Sequence, residues 1–287
     1  MQIQNHILEG VTFQTAKWIG ETITPTIVVL HDTASPLTKS NSANYLANNE
    51  AKVSVHFVVE RDGTITQQVP TNKRANHAGK STFNGRSGCN AFSIGIEIVN
   101  PGRMTAVDDS TAKGWWGAKF NRASYGIEEI TTPQHGHGLW MGYAPDQISA
   151  VLDLLEALFR DVPSLTDITT HWYISPGRKV DVNPLFPLDE LRAKVLGRDD
   201  PADLAAEAGS NPETDPTAYV EIDAGGDSLN MRRWPSFNPN VLASIPDGTA
   251  VPVLRRGVFD NRAWLQVRYA GQEGWVVARY TAPVCIE

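Results

Sequence analysis

The segment from Gly197 to Thr217 constrains this chain more than any other. It carries Pro201, Pro212, Pro216, Gly209 and Ser210, and its six acidic side chains face a single basic one, Arg198. Its only aliphatic side chains are alanines and Leu204. Like charge with little apolar surface cannot offset the entropy of ordering, so residues 198–217 are expected to form an extended, solvated linker. A short surface helix over 202–208 is the alternative. Either way, the 287 residues divide into a large part, 1–197, and a small part, 218–287.

The same segment locates the charge. Of the formal net charge of −7, five units fall in 198–217, two in the large part and none in the small part. Net charge therefore says little against an anionic polymer as a partner. Neither part shows the basic excess that nucleic acid requires. With 41% hydrophobic and 20% charged residues the chain is of ordinary globular composition. No apolar run approaches the ~20 residues of a membrane helix. Met1 to His6 has neither a basic nor an apolar leader, so no secretory signal is expected. Cys89 and Cys285, far apart, support neither a disulfide framework nor a thiolate zinc site.

In the large part, Thr26-Ile-Val-Val-Leu-His31 is a short β-branched run typical of a buried strand. Ser40–Asn49 is expected to be a helix with Tyr45 and Leu46 as its apolar face. Val53–Glu60 and Thr64–Val69 flank Asp62-Gly63 and predict a hairpin. Ser93–Asn100 is a further central strand. Ile148, Val151, Leu154, Leu155 and Leu158 lie at helical spacing after Ala144-Pro145, and Asp167–His171 follows as a strand. Alternation of strands and helices around one antiparallel hairpin predicts an α/β fold, a mixed sheet flanked by helices. In the small part, short strands begin near Leu229, Val241, Ala250, Ala263 and Glu273, with turn residues between them. That spacing predicts a small all-β barrel.

Candidate chemistry lies where strands end. His31 closes one apolar strand and His171 another, and strand ends open into the mouth of an α/β sheet. Each needs a partner, either a metal ion or a buried hydrogen bond. Pro176-Gly177 turns the chain so that Asp181 can return toward His171. Two histidines and an aspartate would give zinc three ligands and an open fourth position, as in catalytic sites. Lys179 is either a cation for an oxyanion or a surface lysine. Glu97 interrupts an apolar strand. It either faces solvent or is a buried carboxylate whose raised pKa suits a general base.

Four motifs then carry a family resemblance over residues 6–196: Val28-Val-Leu-His-Asp-Thr-Ala34, Asn76-His-Ala-Gly-Lys-Ser81, Cys89-Asn-Ala-Phe-Ser-Ile-Gly-Ile-Glu97 and His171-Trp-Tyr-Ile-Ser-Pro-Gly-Arg-Lys-Val-Asp-Val-Asn-Pro184. The chain resembles the zinc-dependent N-acetylmuramoyl-L-alanine amidases and the related peptidoglycan-recognition proteins. The resemblance implies Zn2+ on His31, His171 and Asp181, catalysis by Glu97 and Lys179, and substrate contacts at His77, Arg86 and Asn90. His56 matches a family position and is expected to be structural or to support a ligand. His135-Gly-His137 is expected in a cleft loop or at the surface, and His6 has no assignment. Gly88 stands where cytoplasmic members commonly carry an arginine, with Arg86 two residues earlier. The aromatic segment Arg103–Trp140 is either a cleft wall or a loop packed on the core.

Residues 218–283 resemble bacterial SH3-type domains, through Leu229-Asn-Met-Arg-Arg-Trp-Pro and Gly271-Gln-Glu-Gly-Trp-Val. In such domains Trp234, Trp264, Trp275 and Tyr280 offer aromatic surface, although Trp264 and Trp275 also suit a core. The expected function is zinc-dependent hydrolysis of the amide between N-acetylmuramic acid and L-alanine by a cell-wall lytic enzyme of endolysin or secreted-effector type. The alternatives are a cytoplasmic anhydro-muropeptide recycling amidase and a non-catalytic peptidoglycan-binding protein. The lytic expectation places synthesis in the cytoplasm and action in the periplasm or on the wall. Its partners would be peptidoglycan or muropeptides, with a holin, a secretion machine or an immunity protein, and neither nucleic acid nor membrane insertion.

Overall fold

The structure is a computed structural model and describes residues 1–196, 219–232, 241–259 and 262–284. The expected linker, Trp234 and Cys285 lie outside the described residues. The chain forms two compact units, Met1–Phe186 and Pro187–Glu287.

The first unit is built on a six-stranded mixed sheet. Its strands are β1 (Thr12–Phe13), β2 (Ile27–Asp32), β3 (Phe57–Val59), β4 (Ile65–Gln67), β5 (Ser93–Ile98) and, later in the chain, Asp167–Thr170. The spatial order starts at Asp167–Thr170 and runs through β2, β5, β3 and β4 to β1. β2 pairs in parallel with both of its neighbours, and only β3 and β4 run antiparallel. β2 is buried along its whole length. Val28, Val29 and Leu30 are fully inaccessible, each side chain contributing roughly 1.5–3 kcal/mol by leaving water. The β3–β4 hairpin turns at Gly63, whose φ of +79° a side chain would disfavour.

Helix α1 (Asn41–Ala47) packs Ala43 and Leu46 against Val55, Val58 and Val99. Its expected apolar face is half right: Leu46 is buried but Tyr45 is 55% exposed. The segment between β5 and the next helix, expected as a wall or a loop, is a five-stranded antiparallel sheet. Its strands are β6 (Arg103–Asp108), β7 (Thr111–Lys113), β8 (Lys119–Asn121), β9 (Ile127–Thr132) and β10 (Gly136–Met141), in the order β8-β7-β6-β10-β9. Met104, Ala112, Ile127, Leu139 and Met141 form its core. Helix α2 (Pro145–Asp161) buries Val151, Leu154, Leu155 and Leu158, while its Gln147 amide donates to Val59 O and Val99 O. β11 (Asp167–Thr170) returns beside β2 and leads directly into the single turn α3 (His171–Ile174).

The second unit contains α4 (Leu188–Val195) and a seven-stranded antiparallel sheet. The strands are β12 (Tyr219–Ile222), β13 (Ser228–Arg232), β14 (Val241–Pro246), β15 (Ala250–Phe259), β16 (Arg262–Tyr269), β17 (Gln272–Val277) and β18 (Thr281–Pro283), in the order β14-β13-β17-β16-β15-β12-β18. Ile245, near one edge, and Val220, near the other, share one core with Met231, Val253 and Val267, so the sheet rolls around it. Trp264 and Trp275 are buried with Val277, and Tyr280 is exposed. Among the described residues no helix is long and apolar enough to cross a membrane.

Close packing in this unit depends on Gly274. A Cβ there would lie 2.9 Å from the Arg232 carbonyl oxygen and 2.7 Å from Met231 Cγ. Gly274→Ala is expected to destabilise the unit by about 1–3 kcal/mol, because the crowding atoms include backbone. Urea denaturation followed by tryptophan fluorescence reads the change. An unaltered midpoint would reject the tight approach of β13 to β17.

Candidate metal centre

Register builds the site. His31 stands opposite Glu97 in the β2–β5 pair, and Thr170 stands opposite Leu30 in the β11–β2 pair. His171 therefore emerges beside His31, and the three side chains occupy one end of three adjacent parallel strands. After α3, Gly177 at φ +74° and the bonds from Arg178 N and Lys179 N to Ser175 O fold the chain back. Trp172 N then donates to Asp181 O at 2.8 Å, which returns Asp181 to the start of the turn.

Three potential ligand atoms converge as a result. His31 Nδ1 and His171 Nδ1 are 2.8 Å apart, and Asp181 Oδ2 is 3.3 Å from the first and 2.9 Å from the second. Bonds of 2.0–2.1 Å at tetrahedral angles require separations of about 3.3 Å, so a small outward relaxation of the two closer pairs separates these atoms from a metal shell. The His171 tautomer fits a metal. Its Nε2 lies 3.2 Å from the Ala78 carbonyl, which can only accept, so Nε2 carries the hydrogen and the Nδ1 lone pair faces the cluster. The nearby Arg178 Nη2 has closer acceptors in Ser175 Oγ, at 2.7 Å, and Ala78 O, at 2.8 Å. His31, His171 and Asp181 are thus a donor set for a metal ion.

The electrostatics agree with that use. Burial, helped by His171, pushes His31 down to about 4, so it stays neutral and able to ligate. Burial works against the Asp181 carboxylate, but the His171 and His31 imidazoles beside it outweigh that and hold its carboxyl well below the usual range. Glu97 is pushed up to about 8, mainly by burial and then by the charges of Asp181 and Asp32. Its Oε2 is buried without any hydrogen-bond partner. The acceptor it leaves unused borders a cleft of about 440 Å³ that is also lined by His77, His171, Lys179 and Asp181.

Of the other residues expected at the site, His77 lines the cleft with its ring against His31, the centroids 5.0 Å apart. Asn90 lies behind it. Its Oδ1 accepts from His77 N and Ala78 N and so holds the loop that carries the histidine. Arg86 is outside the cleft lining, its guanidinium 3.9 Å from the Phe92 ring centroid. His56 is fully buried and bonded to Lys73 O and Gly95 N, a structural position. His135 differs from expectation. It is buried between Trp140 and Trp172 and bonded to Val182 O, so packing and not loop exposure fixes it. His137 is exposed beside Glu129, and His6 contacts Thr71 Oγ1.

Sequence reasoning missed Asp32 and Tyr143. Asp32 is buried and pushed up to about 8 by that burial, although Tyr143 OH donates to it at 2.6 Å and Asn183 N at 2.8 Å. This strap ties the end of β2 to the segment just after Asp181. The available signal was the carboxylate directly after His31 in an apolar strand. Trp115, Trp140 and Arg103, all from the five-stranded sheet segment, also line the cleft, and Trp115 Nε1 is anchored to Ala34 O at 2.7 Å.

A family model described as N-acetylmuramoyl-L-alanine amidase matches residues 21–184. The chain is 34% identical over 145 residues to the 1,6-anhydro-N-acetylmuramyl-L-alanine amidase AmpD of Salmonella typhimurium (strain SL1344), covering 50% of this chain and 58% of that protein. It is 39% identical over 124 residues to the N-acetylmuramoyl-L-alanine amidase CwlA of Bacillus subtilis (strain 168), covering 42% and 43%. The chain therefore spans less than two thirds of these relatives. Among solved structures it is similar to the N-acetylmuramyl-L-alanine amidase AmiD from E. coli, with 23% identity, a TM-score of 0.46, and coverage of 70% and 75%.

His56 generates a pH prediction. Burial holds its imidazole down at about 4, against an ordinary 6.5. Between those values the unfolded chain binds a proton that the folded chain refuses, so the stability His56 permits is complete above 6.5 and lost as pH falls toward 4. The slope from one such group reaches ~1.4 kcal/mol per pH unit. Denaturant-derived stabilities of His56→Gln between pH 4 and 7 should show a shallower slope than the wild type. Equal slopes would show that His56 is not the group responsible.

Proposed function

The chain belongs to the N-acetylmuramoyl-L-alanine amidase family, and we propose that it hydrolyses the amide between N-acetylmuramic acid and L-alanine with a zinc ion on His31, His171 and Asp181. The observation that carries this is the convergence of three ligand atoms at a cleft lined by His171, Asp181 and Glu97, whose Oε2 is buried and unpartnered. When bound there, zinc supplies Lewis acidity toward the carbonyl and lowers the pKa of water. Glu97 Oε2 takes the proton of the attacking water and returns it to the leaving nitrogen. Lys179, lining the same cleft, presents a cation to the developing oxyanion. Asp32, Tyr143 and Asn183 hold the strand end that carries His31 against the segment that carries Asp181.

The substrate we favour is wall peptidoglycan. A separate second unit built as a rolled antiparallel sheet, with SH3-type motifs at Leu229 and Gly271, suits a module that tethers the enzyme to a polymer. Action on the wall, outside the cytoplasmic membrane, follows from that choice. A second reading rests on the relatives named as 1,6-anhydro-N-acetylmuramyl-L-alanine amidases. Under it, soluble anhydro-muropeptides are the substrate and the second unit has another role.

Glu97→Gln is expected to lower hydrolysis by roughly 10²–10⁴-fold while the protein keeps one equivalent of zinc. Product release that persists in this variant would remove Glu97 from the chemistry. Digestion of intact sacculi and of purified anhydro-muropeptides, side by side and followed by mass spectrometry, separates the two substrates. Release from sacculi supports the wall assignment, and exclusive action on the soluble fragments overturns it.

A further inference from the structure

We propose that His77 is a positioning residue that fixes the tautomer of His31, through a directional chain of hydrogen bonds starting at the Cys89 carbonyl. The inference rests on the metal-centre reading of His31, His171 and Asp181. The chain starts at an oxygen that can only accept. Ser93 Oγ lies 2.6 Å from Cys89 O, so its one hydrogen is committed there. The same Oγ is 3.2 Å from His77 Nε2, and with its hydrogen used it must accept, which places the His77 hydrogen on Nε2. His77 Nδ1 is then a bare acceptor, 2.9 Å from His31 Nε2. His31 donates from Nε2 and keeps its Nδ1 lone pair free. That Nδ1 is the atom 2.8 Å from His171 Nδ1 and 3.3 Å from Asp181 Oδ2. In the opposite tautomer a hydrogen on Nδ1 would point into the cluster and block ligation.

The sheet is shaped to admit this chain. A Cβ on Gly95 would lie 2.5 Å from His77 Cγ, so β5 must be bare where the ring lies against it. His56 stands edge-on to His77, the centroids 5.8 Å apart, and its Nδ1 accepts the Gly95 N–H. The ring is therefore confined by the strand beneath it and by a second imidazole.

Imidazole ¹⁵N shifts of the metal-free protein read the tautomer of His31, and competition with a chromophoric chelator reads zinc affinity. The wild type should show His31 protonated on Nε2. His77→Phe keeps the ring volume but removes the acceptor. It should lose the Nε2–H preference and bind zinc roughly 10–100-fold more weakly. His77→Asn, whose Oδ1 can stand in for Nδ1, should recover most of that affinity. Ser93→Ala frees His77 to turn its hydrogen to Nδ1 and should move both readouts in the same direction as His77→Phe, which covers the case in which the phenylalanine variant does not fold. An Nε2–H His31 with wild-type zinc affinity in these variants overturns the proposal. A wild type that binds no zinc instead overturns the metal centre, and the ¹⁵N shifts then still decide the hydrogen-bond chain.

Discussion

In a parallel sheet the strand ends of one polarity lie along one edge, and here three neighbouring ends carry His171, His31 and Glu97. Pairing of β2 with β5 sets His31 against Glu97 with no freedom beyond side-chain rotation. Pairing of β11 with β2 sets where α3 begins. A slip of one residue in either pair would turn the affected side chain to the opposite face. The apolar run of β2 therefore does more than fill a core, since it holds a register on which the distances in the cleft depend. The helix α2 above it contributes through Gln147, which grips the ends of β3 and β5 through their carbonyls.

Concentrating this many ionisable groups at a buried edge has a cost, and the neighbouring structure offsets it. Asp32 receives a phenol and a backbone amide, and Glu60 the backbone amide of Ser40. Each such charge-assisted bond contributes more than a neutral one. The five-stranded sheet takes part in this support. Met141 O accepts from both Asn100 and Asn183, which joins the end of β10 to the segments that follow β5 and Asp181. A wall that looks peripheral in the sequence is thus bonded into the framework that carries Asp181.

Strands buried on both faces were legible, because β-branched runs such as Ile27–Leu30 have few other uses. Convergence of His31, His171 and Asp181 was suggested by a proline–glycine turn, and the structure brings these residues together. The five-stranded sheet was not legible. Its strands other than β10 bury little, β6 only Met104 and β9 only Ile127, so the alternation that marks a half-buried strand is too weak to see. His135 misled for a related reason. Gly136 and Gly138 just after it look like a loop, yet Trp140 and Trp172, edge-on to its ring, bury it. Tyr45 shows the limit of helical periodicity: it sits beside Leu46 in sequence but on the outer side of α1. Asp32 was passed over because its partners, Tyr143 and Asn183, are more than a hundred residues away.

Glu97 and the ligand set are also coupled through charge. The carboxyl is held up at about 8 by burial and by the negative charges of Asp181 and Asp32. In that state it is largely protonated at neutral pH and cannot act as a base. A divalent cation held by His31, His171 and Asp181 would add positive charge where that repulsion arises. The carboxyl would then fall toward the neutral range that suits a proton acceptor. Without the cation, protonation of Glu97 relieves its repulsion with the Asp181 carboxylate. In the proposed mechanism, the same burial that makes Glu97 costly as a permanent anion would tie its activation to a bound metal.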